Sequence, residues 1–280
     1  MITFFTVPKA FMSDAGTIQM NAISSWLALD EDVQVILFGD DDGTAEAARE
    51  LGVDHIGDVR HNEHGTPLLD GVFATAESSA RHPALCFANA DIILLTDFKT
   101  AAAHVSSLRR PFLLVGESWD TDVLPHRFGD GFGESDIRAL PGRKRGAGAI
   151  DYFHFSKGLY GEIPPFAVGR IAFDNWLVWR ARDLGALVVD ASRDVHAVHQ
   201  SHDYGHVAGG FEATRYRSEE GRRNIELAGG KSHFYTRFDA THRLAHGRLR
   251  RNWGSKLRVK ENARKAVFKI RAAAGRTEHR

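Results

Sequence analysis

The chain has 280 residues, 43% of them apolar, and 36 acidic against 36 basic side chains, so its formal charge is zero. It is long enough to bury a sizeable core. Its single cysteine, Cys86, excludes an intrachain disulfide and a thiolate zinc cluster, and no apolar run reaches the roughly 18 residues of a membrane span. The charge is unevenly placed: residues 243–280 hold 13 Lys/Arg and 2 Asp/Glu, against 23 and 34 in residues 1–242, giving an acidic body and a basic tail.

In chain order, "ITFFTV" reads as a strand, residues 16–29 as an amphipathic helix, "VQVILF" as a strand and "TAEAAREL" as a helix. The opening "MITFFTVPKAF" is apolar, but it lacks a basic flank and carries Pro8, so it does not resemble a signal peptide. A short strand at "DHIGDV", a helix near "PLLDGVFATAESSA", a strand over 84–95, a helix at "DFKTAAAHVSSL" and a strand at "PFLLVG" follow. This alternation predicts an α/β domain whose single sheet is mainly parallel, with helices on both faces. Ligands of such sheets bind beyond the carboxyl ends of the strands, where Thr6, Asp40 and Asp91 would lie.

Residues 116–149 are rich in Gly, Asp and Arg and show no clear period, the pattern of a long flexible functional loop. Strand character returns at "IDYFHF". Residues 173–184 make a helix with Asp174 at or near its N-cap and Gly185 closing it, and "ALVVDA" and "DVHAVHQ" are two further strands. Residues 1–242 are expected to form one domain, and 243–280 a basic amphipathic helical extension. Within the strand over 84–95, Asn89 and Asp91 would project to one face while Ala90 faces away. A buried carboxylate is costly without a partner, so Asp91 is expected to meet a cation, a hydrogen-bond network or solvent.

That triplet resembles the Asp-X-Asp motif of glycosyltransferases with the glycosyltransferase A fold, departing from it in the neutral Asn89. A stronger resemblance lies in "IDYFHF", "PPFAVGR", "FDNW" and "HQSHDYGH". With these motifs, roughly residues 1–210 are similar to bacterial glycosyltransferase-like proteins of the nucleotide-diphospho-sugar transferase superfamily. The resemblance implies Mn²⁺ or Mg²⁺ held by Asp91, Asn89 and His199 against a nucleotide-diphosphate sugar, a donor set suited to a hard cation. It also implies that the "FTVPK" turn with Thr6 and Pro8 flanks the nucleotide together with Asp40, and that Thr66 and Lys157 contact the donor. Asp174 would be the catalytic base for an acceptor hydroxyl and Arg170 would neutralise the leaving diphosphate.

Plainer roles stand beside each of these: turn chemistry for Thr6, Pro8 and Asp40, helix capping for Thr66 and Asp174, surface ion pairs for Arg170 and Lys157. Trp176 and Trp179 are core residues or a sugar platform, and His199, His202, Asp203 and His206 could instead form a zinc hydrolase site. Leu249, Trp253 and Leu257, at four-residue spacing among basic residues, suggest either a helix lying on an anionic membrane or a solvated, frayed basic tail; no nucleic-acid signature accompanies the charge. The expected protein is therefore a metal-assisted glycosyltransferase with a glycan or lipid-linked acceptor, cytoplasmic and peripheral to the inner membrane face. Its rivals are a sugar-1-phosphate nucleotidyltransferase, whose Gly-rich phosphate loop is missing from "TVPKAFMSDAG", and a non-catalytic nucleotide- or glycan-binding module at the membrane.

Overall fold

The structure is a computed structural model that describes residues 1–146, 148–201 and 218–253. The first half alternates β1 (Thr3–Thr6), α1 (Ser13–Leu27), β2 (Gln34–Phe38), α2 (Thr44–Leu51), β3 (Asp54–Ile56), α3 (Leu69–Ser79) and β4 (Ala84–Ala88). Then come β5 (Ile92–Ile93), α4 (Thr96–Ser106), β6 (Phe112–Val115), β7 (Ser118–Thr121), α5 (Glu134–Ala139), β8 (Gly142–Lys144) and β9 (Tyr152–Ser156). The remainder holds α6 (Phe173–Asp183), β10 (Leu187–Asp190), β11 (Ala197–Gln200), α7 (Glu219–Leu227), β12 (His242–Ala245) and β13 (Arg248–Arg251).

Two mixed sheets replace the single, mainly parallel glycosyltransferase A-type sheet expected from the sequence. Nine strands run in the order β13-β12-β10-β6-β9-β4-β1-β2-β3, and a separate sheet has the order β5-β11-β7-β8. In the large sheet β9 lies antiparallel between β4 and β6, and β13 pairs antiparallel with β12 at the edge. In the small sheet β11 is parallel to β7, while β5 and β8 are antiparallel to their neighbours. The expectation failed because the apolar pattern of a doubly buried strand is the same in either direction.

Strand periodicity sorts the core into two layers. Phe5, Ile36, Phe38, Leu85, Phe87, Phe153 and Phe155 face α3 and α6, where Phe73, Trp176 and Leu177 complete the layer. Phe4, Val35, Leu37, Cys86 and Tyr152 face α1 and α4, against Ile23, Trp26 and Phe98. Burying side chains of this size contributes about 1.5–3 kcal/mol each. Trp26 also donates its indole N–H to the Ile92 carbonyl at 2.8 Å, which spares a buried polar group and fixes the start of β5.

Three local readings change as well. The strand expected over 84–95 stops at Ala88: Asn89 N–H donates to the Asp151 carbonyl and Ile92 N–H to the Asn89 carbonyl, turning the chain into the second sheet. Residues 116–149 are structured, since β7, α5 and β8 lie within them and Val123 and Ile137 pack with Ile93, Leu95 and Val198 in a third apolar cluster. The basic extension does not begin as a helix, because residues 242–251 form the β12–β13 hairpin and Leu249 packs toward the α1/α4 layer. Leu257 and residues 254–280 lie outside the described residues. No helix among the described residues is long and apolar enough to cross a membrane.

Gly116, just after β6, sits where a Cβ would overlap the Tyr152 hydroxyl, and that hydroxyl is buried without a hydrogen-bond partner. Gly116→Ala is expected to destabilise the fold by about 1–3 kcal/mol through overpacking. Tyr152→Phe should cost little, having no hydrogen bond to lose, and should recover much of the Gly116→Ala loss in the double variant. Urea unfolding of the four proteins in a double-mutant cycle measures this coupling.

Candidate active site

The carboxyl ends of β1, β2, β4, β6 and β10 share one edge of the large sheet, and antiparallel β9 brings its amino end to the same edge. Asp151, immediately before β9, therefore stands beside the turn that carries Asn89 and Asp91. Its buried carboxylate accepts from Asn89 Nδ2 at 3.3 Å, from Arg145 Nη1 at 2.8 Å and from Ser118 Oγ. Arg145 Nε lies 3.1 Å from Asp120 Oδ1, so one guanidinium joins two carboxylates.

His199 completes the cluster because β11 pairs with β7 in a register that places His199 opposite Asp120. Its Nδ1 lies 2.9 Å from Asp120 Oδ1 and its Nε2 3.4 Å from Asp91 Oδ2. Burial disfavours the imidazolium, but the hydrogen bond and charge of Asp91 outweigh burial and raise the pKa. Lys9, following the Pro8 turn, also faces Asp91: burial lowers its pKa and the Asp91 charge opposes that shift. Gln19 holds the turn in place, accepting from Lys9 N–H at 2.7 Å and donating to the Lys9 carbonyl at 2.9 Å.

Asp174 is the second residue of α6, next to the helix start expected from the sequence; the N-cap is Ala172 with φ 85°, and no side chain makes a cap hydrogen bond there. A positive φ at a non-glycine residue stores strain, and here it positions the helix start. Asp174 Oδ1 is buried with no hydrogen-bond partner. Burial raises its pKa to about 6; the first-turn amides act the other way and the Asp151 charge adds to the rise. Phe173, the residue before Asp174, packs its ring 6.2 Å from that of Phe87 near the end of β4, which brings the start of α6 to the same sheet edge.

The other expected site residues divide. Thr6 ends β1 and is buried; Pro8 is buried in the turn before Lys9; Asp40 is exposed beyond β2. All three belong to the same edge. Arg170 is committed to Glu220 at 2.7 Å, and Glu220 also accepts from Asn62 at 2.8 Å. Burial raises the Glu220 pKa, but hydrogen bonds from Thr66, Asn62 and Arg170 outweigh it and bring the pKa below its ordinary value, so Thr66 and Arg170 meet around this carboxylate.

Lys157 follows β9 at the opposite edge, its N–H donating to the Pro83 carbonyl before β4 and its Nζ to the Ala80 carbonyl. It cannot join Asp91, because β9 runs against β4. Trp176 packs on Phe166 in the core and Trp179 stacks on His233 at 3.7 Å, so neither forms a sugar platform. Asp120, Ser118, Arg145, Asp151 and Lys9 had no assigned role in the sequence. Only for Asp151 was there a signal, a charged residue opening an otherwise apolar strand.

Among the described residues no three His, Cys, Asp or Glu side chains converge in a metal-holding arrangement. Asp91 and His199 are adjacent and offer an oxygen and an imidazole nitrogen, donors suited to Mn²⁺ or Mg²⁺. Asn89 is turned to Asp151 instead. His202, Asp203 and His206 lie outside the described residues.

Because the folded pKa of Asp174 lies above the ordinary carboxylate value of 3.8, the fold prefers its protonated form. That stabilisation is complete below the unfolded pKa and is lost as pH rises through about 6. Asp174→Asn removes the charge, so the variant should gain stability over the parent as pH increases, by up to roughly 3 kcal/mol. Chemical denaturation of both proteins at about pH 5 and about pH 8 checks this; a constant difference would show that burial does not govern the group.

No family model and no curated protein matches the chain. Solved structures are similar at low identity. S. aureus TarS 1-349 is 12% identical, over 71% of this chain and 57% of that one, with TM-score 0.40. Glucosyl-3-phosphoglycerate synthase from Mycobacterium tuberculosis, in complex with Mn²⁺, UDP and phosphoglyceric acid, is 13% identical over 82% and 78%, with TM-score 0.49. Mannosyltransferase PcManGT from Pyrobaculum calidifontis, in complex with GDP-Man and Mn²⁺, is 15% identical over 73% and 58%, with TM-score 0.44. The chain thus spans less than two thirds of TarS 1-349 and of the mannosyltransferase.

Proposed function

We propose that the chain transfers a sugar from a nucleotide-diphosphate donor to a hydroxyl acceptor. The observation that carries the reading is the convergence, at one sheet edge, of the Asp91–His199–Asp120–Arg145–Asp151 cluster with Asp174, a carboxyl group whose pKa is raised to about 6. A base of that pKa is largely ionised near pH 7 and still able to take a proton.

Asp174 accepts the proton of the acceptor hydroxyl as its oxygen bonds to the anomeric carbon. The bond from that carbon to the diphosphate oxygen breaks, and its electron pair leaves with the diphosphate. Lys9, which faces Asp91 from the Pro8 turn, would favour the leaving group through its positive charge. Asp91 and His199 are the residues that would hold Mn²⁺ or Mg²⁺; such an ion supplies further charge neutralisation. Thr6, Pro8 and Asp40, at the same sheet edge, would border the nucleotide. The acceptor is a glycan or lipid-linked hydroxyl.

The rival reading is a binding module without turnover. Two variants separate the readings. Asp174→Asn is expected to lower turnover of nucleotide sugar by about 10²–10⁴-fold with little change in donor binding. Asp91→Ala should abolish the rise in melting temperature that a nucleotide sugar with Mn²⁺ produces. Wild-type donor binding without hydrolysis or transfer would support the module, and a ligand-induced shift that survives Asp91→Ala would move the donor elsewhere.

A further inference from the structure

The β12–β13 hairpin closes the large sheet with an unusual pairing. Its register sets Arg243 directly opposite Arg250 and Leu244 opposite Leu249. Leu244 and Leu249 join the α1/α4 layer, so strand alternation turns both arginines to the other face. Like charges directly opposite each other destabilise an antiparallel pair.

Those arginines line a cleft of about 270 Å³ together with Arg193, Arg251, Asn252 and Trp253. None of the four arginines forms an ion pair with a described carboxylate, and Arg243 Nε is buried without a hydrogen-bond partner. Nearby acids are committed elsewhere: Asp190 faces Arg237 at 3.4 Å, and Asp194 accepts the His246 and Gly247 amides of the hairpin turn. Buried Asn252 donates to the Phe238 and Ala240 carbonyls and holds the chain against the body. In the cleft wall Trp253 is exposed, at 63%, with Arg251 over its ring.

Four guanidinium groups gathered without carboxylates match the geometry of phosphate oxygens, which accept paired N–H bonds from Arg. We propose that this cleft binds a phosphate group, the chemistry shared by an anionic lipid headgroup and a soluble phosphate. The exposed Trp253 ring in its wall is the kind of side chain that settles at a lipid–water boundary, which favours the headgroup. The inference is independent of the sugar-transfer reading, whose residues lie elsewhere on the sheet edge.

The test uses the full chain, the double variant Arg243→Gln/Arg250→Gln, and a charge-matched control, Lys260→Gln/Lys265→Gln, in the basic tail. One arm measures melting temperature with added inorganic phosphate. The other measures co-sedimentation with phosphatidylcholine vesicles with and without phosphatidylglycerol. The cleft variant is expected to bind about tenfold or more weakly in one or both arms, while the tail control keeps most of its binding. Loss in the vesicle arm alone assigns a headgroup, and loss in the phosphate arm assigns a soluble phosphate. In phosphate-free buffer the cleft variant should melt no lower than wild type, because its like-charge pair is gone. Equal loss in the tail control, no loss in either arm, or a lower melting temperature without phosphate would each overturn the proposal.

Discussion

The buried Asp151 carboxylate is held by Ser118, Asn89 and Arg145, and these contacts join the two sheets at the edge where the polar residues gather. A carboxylate this deep is costly unless it is hydrogen-bonded and paired with a cation. Satisfying it fixes the turn after β4, the start of β7 and the segment after β8 at once. Asp91 and His199 inherit their positions from that arrangement, one from the turn and the other from the β11–β7 pairing.

Antiparallel β9 makes the arrangement attainable. Were β9 parallel to β4, Asp151 would stand at the far edge and Lys157 would take its place beside Asp91. Alternation alone sends the aromatic side chains of β9 into both layers of the core, whereas its direction decides which edge the charged residue at each end serves. Polar placement, not packing, is what the strand direction sets.

Charge is apportioned between two regions of contrasting logic. Around Asp91, cations and carboxylates neutralise each other locally, and the surplus acid, Asp174, is shifted toward neutrality by burial. At the β12–β13 hairpin, arginines accumulate without acids. Both places hold groups whose electrostatics are incomplete within the protein, and such sites are where a ligand gains most by binding.

The residue pattern alone determined where most strands and helices fall, because periods of two and 3.6 residues follow from backbone geometry. The helix read over 173–184 is Phe173–Asp183, and the strand at "IDYFHF" is Tyr152–Ser156. It also marked Asp91 and His199, polar residues ending apolar runs. Strand direction, the division into two sheets, and the partners of Asp91 were decided only in three dimensions. Direction leaves no trace in side-chain alternation, and contacts such as Asp151 with Arg145 or His199 with Asp120 depend on register between segments distant in the chain. Burial decided the rest: a helix-start carboxylate that would stay ionised when exposed has its pKa raised to about 6 where its oxygen is sealed from water, as at Asp174.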